Sequence, residues 1–201
     1  MRIFLAGASG VIGSRLVPLL VADGHDVAGM TRSGGMAKPL GDLGAEPVIC
    51  DVFDLEGLTN AVVAFRPDAV VHELTDLPDS LNDLGEYGAR NDRMRSEGTR
   101  NLIAAATAAG ATHFLAQSIA WTPSRGGEVV EAHEQMVLAI DGVVVRYGQL
   151  YGPSTFYENE IPPQPRLQVD DAARRTVPLL TAPSGIVTLV DSDESRAPLR
   201  S

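Results

Sequence analysis

A chain of 201 residues is long enough for one α/β domain with a real core and too short for two of ordinary size. Its 26 acidic against 16 basic side chains give a formal charge of −10, which argues against a nucleic-acid surface and for small-molecule partners. A single cysteine, Cys50, excludes an internal disulfide and a cysteine-based metal cluster, and the apolar runs end well short of the roughly 20 residues of a membrane span.

The chain opens on Ile3-Phe4-Leu5-Ala6, which runs straight into a glycine-rich turn. That stretch reads as a strand of the fold and not as a leader, so a cytoplasmic location is expected. Strand-like and helix-period segments then alternate, with strands over 2–6, 26–31, 46–50, 68–72, 113–117, 142–147 and 186–190. Helices are expected over 11–23, 55–64, 88–109, 127–140 and 170–180, with a short one near 36–43. Gly24 and Gly110 stand where a helix C-terminal glycine belongs, and four prolines make 153–166 a loop. Cys50, ending an apolar run, reads as a buried structural thiol. The pattern predicts an α/β, Rossmann-type doubly wound parallel sheet with helices on both faces. It is expected to form a single domain over 1–201, with 153–201 a reduced substrate-side segment. Right-handed crossovers would then bring the carboxyl ends of all strands to one edge, where ligands collect.

Residues 7–13, Gly-Ala-Ser-Gly-Val-Ile-Gly, follow a strand and open a helix. In this spacing Gly7 permits the tight turn, Gly10 lets a pyrophosphate approach the backbone, and Gly13 lets helix and strand pack closely. The helix start adds free amides and the positive end of a dipole, with Ser9, Val11 and Ile12 completing the cradle. About 20 residues beyond the loop, NAD-selective versions carry an acid for the adenosine ribose. Here the second strand ends Gly29-Met30-Thr31-Arg32-Ser33, without one. Arg32 can pair with a 2′-phosphate, helped by the Thr31 or Ser33 hydroxyl, so NADP is expected over NAD; the bland alternative is a solvated loop arginine.

From these residues onward the chain resembles the short-chain dehydrogenase/reductase superfamily, in its extended or atypical NAD-dependent epimerase/dehydratase branch. Cys50-Asp51-Val52 is similar to the family's Asp-hydrophobic pair beside adenine, and Val70-Val71-His72-Glu73-Leu74-Thr75 to its fourth strand and the turn under the cofactor. Glu97-Gly98-Thr99-Arg100-Asn101-Leu102 resembles "NGTxNL", and Phe114-Leu115-Ala116-Gln117-Ser118 the fifth strand. Val144-Val145-Arg146-Tyr147-Gly148-Gln149-Leu150-Tyr151-Gly152-Pro153 is similar to "LRPxxVYGP", and Val169-Asp170-Asp171-Ala172-Ala173-Arg174 to "HVDDVARA". The resemblance implies that Asp51, Val52, Leu74, Thr75, Gln117, Ser118 and Tyr147 line the cofactor.

It also implies a catalytic hydroxyl, a tyrosine, and a lysine four residues after the tyrosine. The tyrosines are Tyr87, Tyr147, Tyr151 and Tyr157, none with a lysine at that spacing, and the one lysine, Lys38, cannot serve because it follows the second strand. Aligned through Glu134, the tyrosine and lysine positions fall on Gly126 and Val130. Ser118 is either the catalytic hydroxyl or a cofactor-positioning residue, since one alignment puts Ile119 in the catalytic slot. His133 shares a helical face with Val130 and Val137, and either points inward to a nicotinamide or is a satisfied histidine. Tyr147 or Tyr151 could be a substitute proton donor or plain packing. Asn91 and Arg95, at i,i+4, face either a substrate cleft or solvent. Only eight residues (119–126) follow Ser118 up to and including Gly126, and the proline-rich loop stands in for a substrate lobe, so a sugar nucleotide does not fit the expectation.

Two readings follow: an NADP(H)-dependent oxidoreductase or epimerase-type enzyme with Ser118, Tyr147 or His133 as unusual catalytic groups, and a non-catalytic NADP(H) sensor. A third uses the fold for chemistry without redox. A small-molecule substrate is the expected partner, the chain could also pair as a homodimer, and no metal is expected.

Overall fold

The computed structural model describes residues 1–76, 84–124 and 126–192, for 84–87 in their backbone alone. Seven parallel strands form the central sheet: β1 (Arg2–Ala6), β2 (Asp26–Thr31), β3 (Glu46–Ile49), β4 (Ala69–His72), β5 (His113–Ile119), β6 (Val143–Tyr147) and β9 (Gly185–Leu189). Their order is β3-β2-β1-β4-β5-β6-β9. The chain therefore builds outward from β1 to β3, returns to pair β4 with β1, and continues the other way. The register Ala6↔Met30, Ala6↔His72 and His72↔Ala116 aligns the ends of β2, β1, β4 and β5 along one edge. The crevice at this topological switch point, between β1 and β4, is where such a sheet takes ligands.

Helices α1 (Gly13–Ala22), α2 (Ala37–Asp42), α3 (Leu55–Phe65), α4 (Leu84–Arg93), α5 (Thr99–Ala109), α6 (Gly127–Leu138) and α7 (Val169–Thr176) fill the connections. Side chains of a strand alternate between faces, so β1 feeds two cores at once. Ile3 and Leu5 pack with Leu16, Leu20, Leu40 and Ala172 on the face of α1, α2 and α7, while Phe4 and Ala6 pack with Leu58, Val62, Leu102 and Ala105 of α3 and α5. The expected strands and the doubly wound class are those found.

Three local expectations need correction. The segment 88–109 is not one helix: a π turn, Met94–Gly98, separates α4 from α5. The turn packs Gly98 against Met94 and Val52, and Met94, Arg95 and Thr99 are buried along it. The helix expected to reach residue 180 is α7 followed by a 3₁₀ turn, Val177–Thr181. Flanking the proline-rich loop are two three-residue strands, β7 (Gln149–Tyr151) and β8 (Arg166–Gln168), paired in parallel as a separate small sheet. Segments this short carry no readable period, and their partners lie across a loop. The short helix near 36–43 is present as α2.

Candidate functional site

The loop after β1 is closed by its own glycines. Gly7 has φ +92°, and a Cβ there would lie 2.7 Å from the Glu73 carbonyl carbon; at Gly13 it would lie 2.1 Å from the Gly7 carbonyl oxygen. Neither position tolerates a side chain. Gly10 is different: it is exposed, and an added Cβ would meet only the Gly7 oxygen at 3.2 Å. Its amide returns to that oxygen at 2.9 Å, which leaves the amides of Val11 and Ile12 without acceptors among the described residues. No side chain caps α1 and no acid stands in its first turn. An uncapped helix start beside a surface glycine fits a pyrophosphate, because free amides and the dipole both favour an anion there. Arg15 braces the loop from behind, donating to the Val11 carbonyl (2.8 Å), the Pro153 carbonyl (2.6 Å) and Asp170 (2.7 Å).

At the carboxyl ends of β2 and β3 a cavity of about 220 Å³ is lined by Arg32, Asp51, Phe53, Asp76, Arg90 and Arg93. Arg32 is half exposed and only 3.9 Å from Asp76, which Arg90 holds at 3.0 Å. Arg93 pairs with Glu97 at 2.7 Å and lies 3.8 Å over the Phe53 ring. Asp51 is turned to the Phe53 amide (3.0 Å). Val52 is buried beneath, its carbonyl accepting from Asn101 (2.9 Å). Thr31 does not face this cavity as a spare donor: its buried hydroxyl meets Ser9 (3.0 Å) and accepts the Ser33 amide (3.2 Å), so Ser33 alone offers an exposed hydroxyl. The arginines Arg90 and Arg93 had no signal in a strand-end reading, since α4 brings them in from far along the chain.

The opposite half, at the ends of β4, β5 and β6, is a set of closed polar contacts. Ser118 is buried and donates to Glu134 (2.6 Å), which Arg146 grips with Nε at 2.8 Å and Nη2 at 2.5 Å. Burial pushes the Glu134 carboxyl upward, but the Arg146 and Ser118 hydrogen bonds outweigh it and hold it below the usual carboxylate value. Tyr147, also buried, places its hydroxyl 3.0 Å from Glu73 and 2.7 Å from the Thr176 hydroxyl. Burial raises Glu73 to about 8, despite the Tyr147 hydrogen bond that opposes it, and lifts the Tyr147 phenol well above its ordinary value.

His133 is a fully buried member of a four-step chain. The Leu74 amide donates to His72 Nδ1 (3.2 Å), so His72 carries its proton on Nε2, 3.1 Å from Thr99 Oγ1. At the other end His133 Nε2 must be the donor to the Gln117 carbonyl (2.9 Å), which leaves Nδ1 to accept the Thr99 proton at 2.8 Å. Every donor and acceptor is matched with both rings neutral, and burial, the largest cause, lowers the pKa of each. The Gln117 amide holds the Leu74 carbonyl (3.2 Å), and Thr75 is exposed beyond it.

Of the proposed catalytic groups, then, Ser118, Tyr147 and His133 are enclosed and engaged. Tyr151 is half-buried and donates to Asp191 (2.9 Å). Gly126, at the aligned tyrosine position, is the left-handed residue before α6, facing Asp92; Val130 is buried; the Tyr87 side chain lies outside the described residues. Lys38 is on α2, paired with Asp42. Cys50 is half-buried rather than buried, and burial together with Asp54 and Asp51 raises its thiol. Asn91 and Arg95, expected at a cleft or in solvent, are both buried. Sequence reasoning missed Glu73, Thr99, Glu134, Arg146 and Thr176 as a polar interior, because isolated polar residues within apolar segments do not announce their partners. No described group of side chains could hold a metal ion, and no described helix is long and apolar enough to cross a membrane.

Comparison with known proteins agrees with this architecture. The family described as NAD(P)H-binding matches residues 7–139. A 3-diazoavenalumate denitrifying reductase from a Streptomyces species is 38% identical over 185 residues, 80% of this chain and 60% of the relative. A 3-beta-hydroxysteroid dehydrogenase from Mycolicibacterium neoaurum is 28% identical over 141 residues, 67% of this chain and 36% of the relative. The chain thus spans less than two thirds of the length of these relatives. Among solved structures, the Thermus thermophilus UDP-glucose 4-epimerase with NAD superposes with a TM-score of 0.76 at 20% identity, over 94% of this chain and 78% of that one. The Bacillus cereus UDP-N-acetylglucosamine 4-epimerase gives 0.74 at 21%, over 96% and 79%. The chain belongs to the NAD(P)H-binding family and has a Rossmann-type fold like that of these epimerases.

Proposed function

We propose that the protein is an NADPH-dependent reductase whose substrate accepts hydride without a proton supplied by a tyrosine–lysine pair. The observation that carries this reading is the contrast between an open cofactor cradle and a second half in which Ser118, Tyr147 and His133 already have partners. Gly10, with the Val11 and Ile12 amides, takes the pyrophosphate. Arg32, with only a long contact to Asp76, takes the 2′-phosphate, and Ser33 offers a further donor. Asp51 and Val52 flank the adenine, and Leu74, Thr75 and Gln117 form the turn beneath the nicotinamide. Bound NADPH supplies a hydride from nicotinamide C4.

The reductase relative removes nitrogen from a diazo compound, by its name. A substrate of that class suits a site without a general acid: hydride adds to the diazonium-bearing carbon as the C–N bond leaves with its electron pair as N₂, so charge and electrons balance with no proton. The chain's own residues need only hold substrate and cofactor together and keep water out. The test is NADPH oxidation with a panel of aryl diazonium ions beside carbonyl and enone compounds, using NADPH deuterated at C4. Deuterium at the vacated carbon, in wild type and in Lys38→Ala alike, supports the reading. Turnover of carbonyls alone overturns the substrate class. Background rates throughout, with tight NADPH binding, favour the sensor, a reading that the same engaged hydroxyls support.

A further inference from the structure

Arg95 sits in the π turn between α4 and α5, is 9% exposed, and has no hydrogen-bond acceptor for its guanidinium among the described residues. Its Nε is wholly enclosed without a partner, whereas the terminal nitrogens are not enclosed. A buried, unpaired guanidinium is costly, and folded proteins ordinarily match such a group with a carboxylate or with carbonyl oxygens. The carboxylates near enough to act on it, Asp92 and Glu134, do not fill that role: neither forms an ion pair with it, and both Glu134 oxygens are taken by Ser118 and Arg146. The neighbouring rings, His72 and His133, spend all four nitrogens on the chain through Thr99. The fork is therefore held without a partner close to His72, the last residue of β4, and to His133, which is bonded to Gln117 of β5.

We infer that Arg95 is a substrate-binding residue that receives a carboxylate of the substrate through its planar fork. A carboxylate matches two parallel N–H donors, and its charge removes the cost of the unpaired cation. The inference rests on the proposed reductase reading and narrows its substrate to anionic molecules. Desolvation already lowers the Arg95 pKa, in keeping with a site that gains by taking up a negative charge. Asn91, one turn before, is occupied with the Asp76 amide at 3.2 Å and so steadies the adjoining turn rather than competing for the ligand.

The experiment titrates NADPH-saturated protein with benzoate, phenylacetate and cinnamate, and in parallel with their amides, by calorimetry. Wild type should prefer carboxylates roughly tenfold or more, and Arg95→Met should lose roughly 10- to 100-fold in carboxylate affinity while amide binding and the NADPH Kd stay unchanged. Arg95→Lys keeps the charge without the fork and should lose part of the preference; it carries the test if the Met variant does not fold. Equal binding of acids and amides to wild type, no binding of any acid, or an unchanged preference in a folded variant overturns the assignment. Loss of NADPH affinity in Arg95→Met with no carboxylate preference would assign the arginine to the cofactor and also overturn it. If wild type fails to bind NADPH, the reductase reading itself falls; normal NADPH binding without a carboxylate preference removes only this inference.

Discussion

The glycine-loop half and the β4–β6 half of the sheet edge offer different donors and are left in opposite states. Around β1 and β2 the donors that matter are main-chain amides of Val11 and Ile12 and the half-exposed Arg32, all with hydrogen-bonding capacity to spare. Around β4, β5 and β6 the donors are side chains, and nearly all are engaged: Ser118 with Glu134, Tyr147 with Glu73, and the histidines with Thr99. Open backbone donors recognise a ligand shared by many proteins. Closed side-chain networks fix a shape and leave specificity to the group that stays unpaired, here Arg95.

The largest effect should come from Gly13→Ala. Its Cβ would overlap the Gly7 oxygen and the Ala8 backbone, so we expect destabilisation of at least about 3 kcal/mol, seen as loss of soluble protein or a large fall in Tm. Gly10→Val sharpens the comparison: with only one 3.2 Å contact at an exposed site, it should keep Tm within a few degrees yet abolish NADPH binding in a fluorescence titration. Retained binding would mean that the loop is structural only.

In the closed half, Thr99→Val removes the acceptor of His72 and the donor to His133 together. A loss of about 2 kcal/mol by denaturant unfolding is expected, with NADPH affinity nearly unchanged. Arg32→Ala should cost about 1.5–3 kcal/mol of NADPH affinity and spare NADH; equal wild-type affinities for the two cofactors would end the NADPH assignment.

The last effect is graded with pH. Glu73 is raised from 4.5 to about 8 in the folded protein, so the folded state holds a proton that the unfolded state has lost, and stability falls as pH rises between those values. His72 and His133 are lowered from 6.5 and act in the other direction, removing stability only as pH drops below that value. Between pH 6.5 and 8 the Glu73 contribution stands alone among the shifted groups of the described residues, with a slope of at most about 1.4 kcal/mol per pH unit. Thermal unfolding should show a falling Tm over this window in wild type and a flatter one in Glu73→Gln. An identical slope in both would show that Glu73 is ionised in the fold.

Local sequence determined the sheet and the loop. Continuous apolar runs, glycines at 7, 10 and 13, and the missing acid at the end of β2 are properties of contiguous residues, and contiguous residues set strand, turn and helix start. The absence of a tyrosine–lysine pair was equally legible, because a chain with one lysine has one place to look. What the sequence could not decide was which hydroxyls, rings and charges are spent. Ser118 and Tyr147 could be read as catalytic or structural until Glu134, 16 residues on, and Glu73, 74 residues back, were seen to hold them. Arg95 was open in the same way: at i,i+4 from Asn91 it could face a cleft or solvent, and only the packed structure shows both buried. Hydrogen-bond satisfaction is a property of groups that meet only when the sheet is assembled, and that is why the tertiary structure alone distinguishes a filled network from a waiting one.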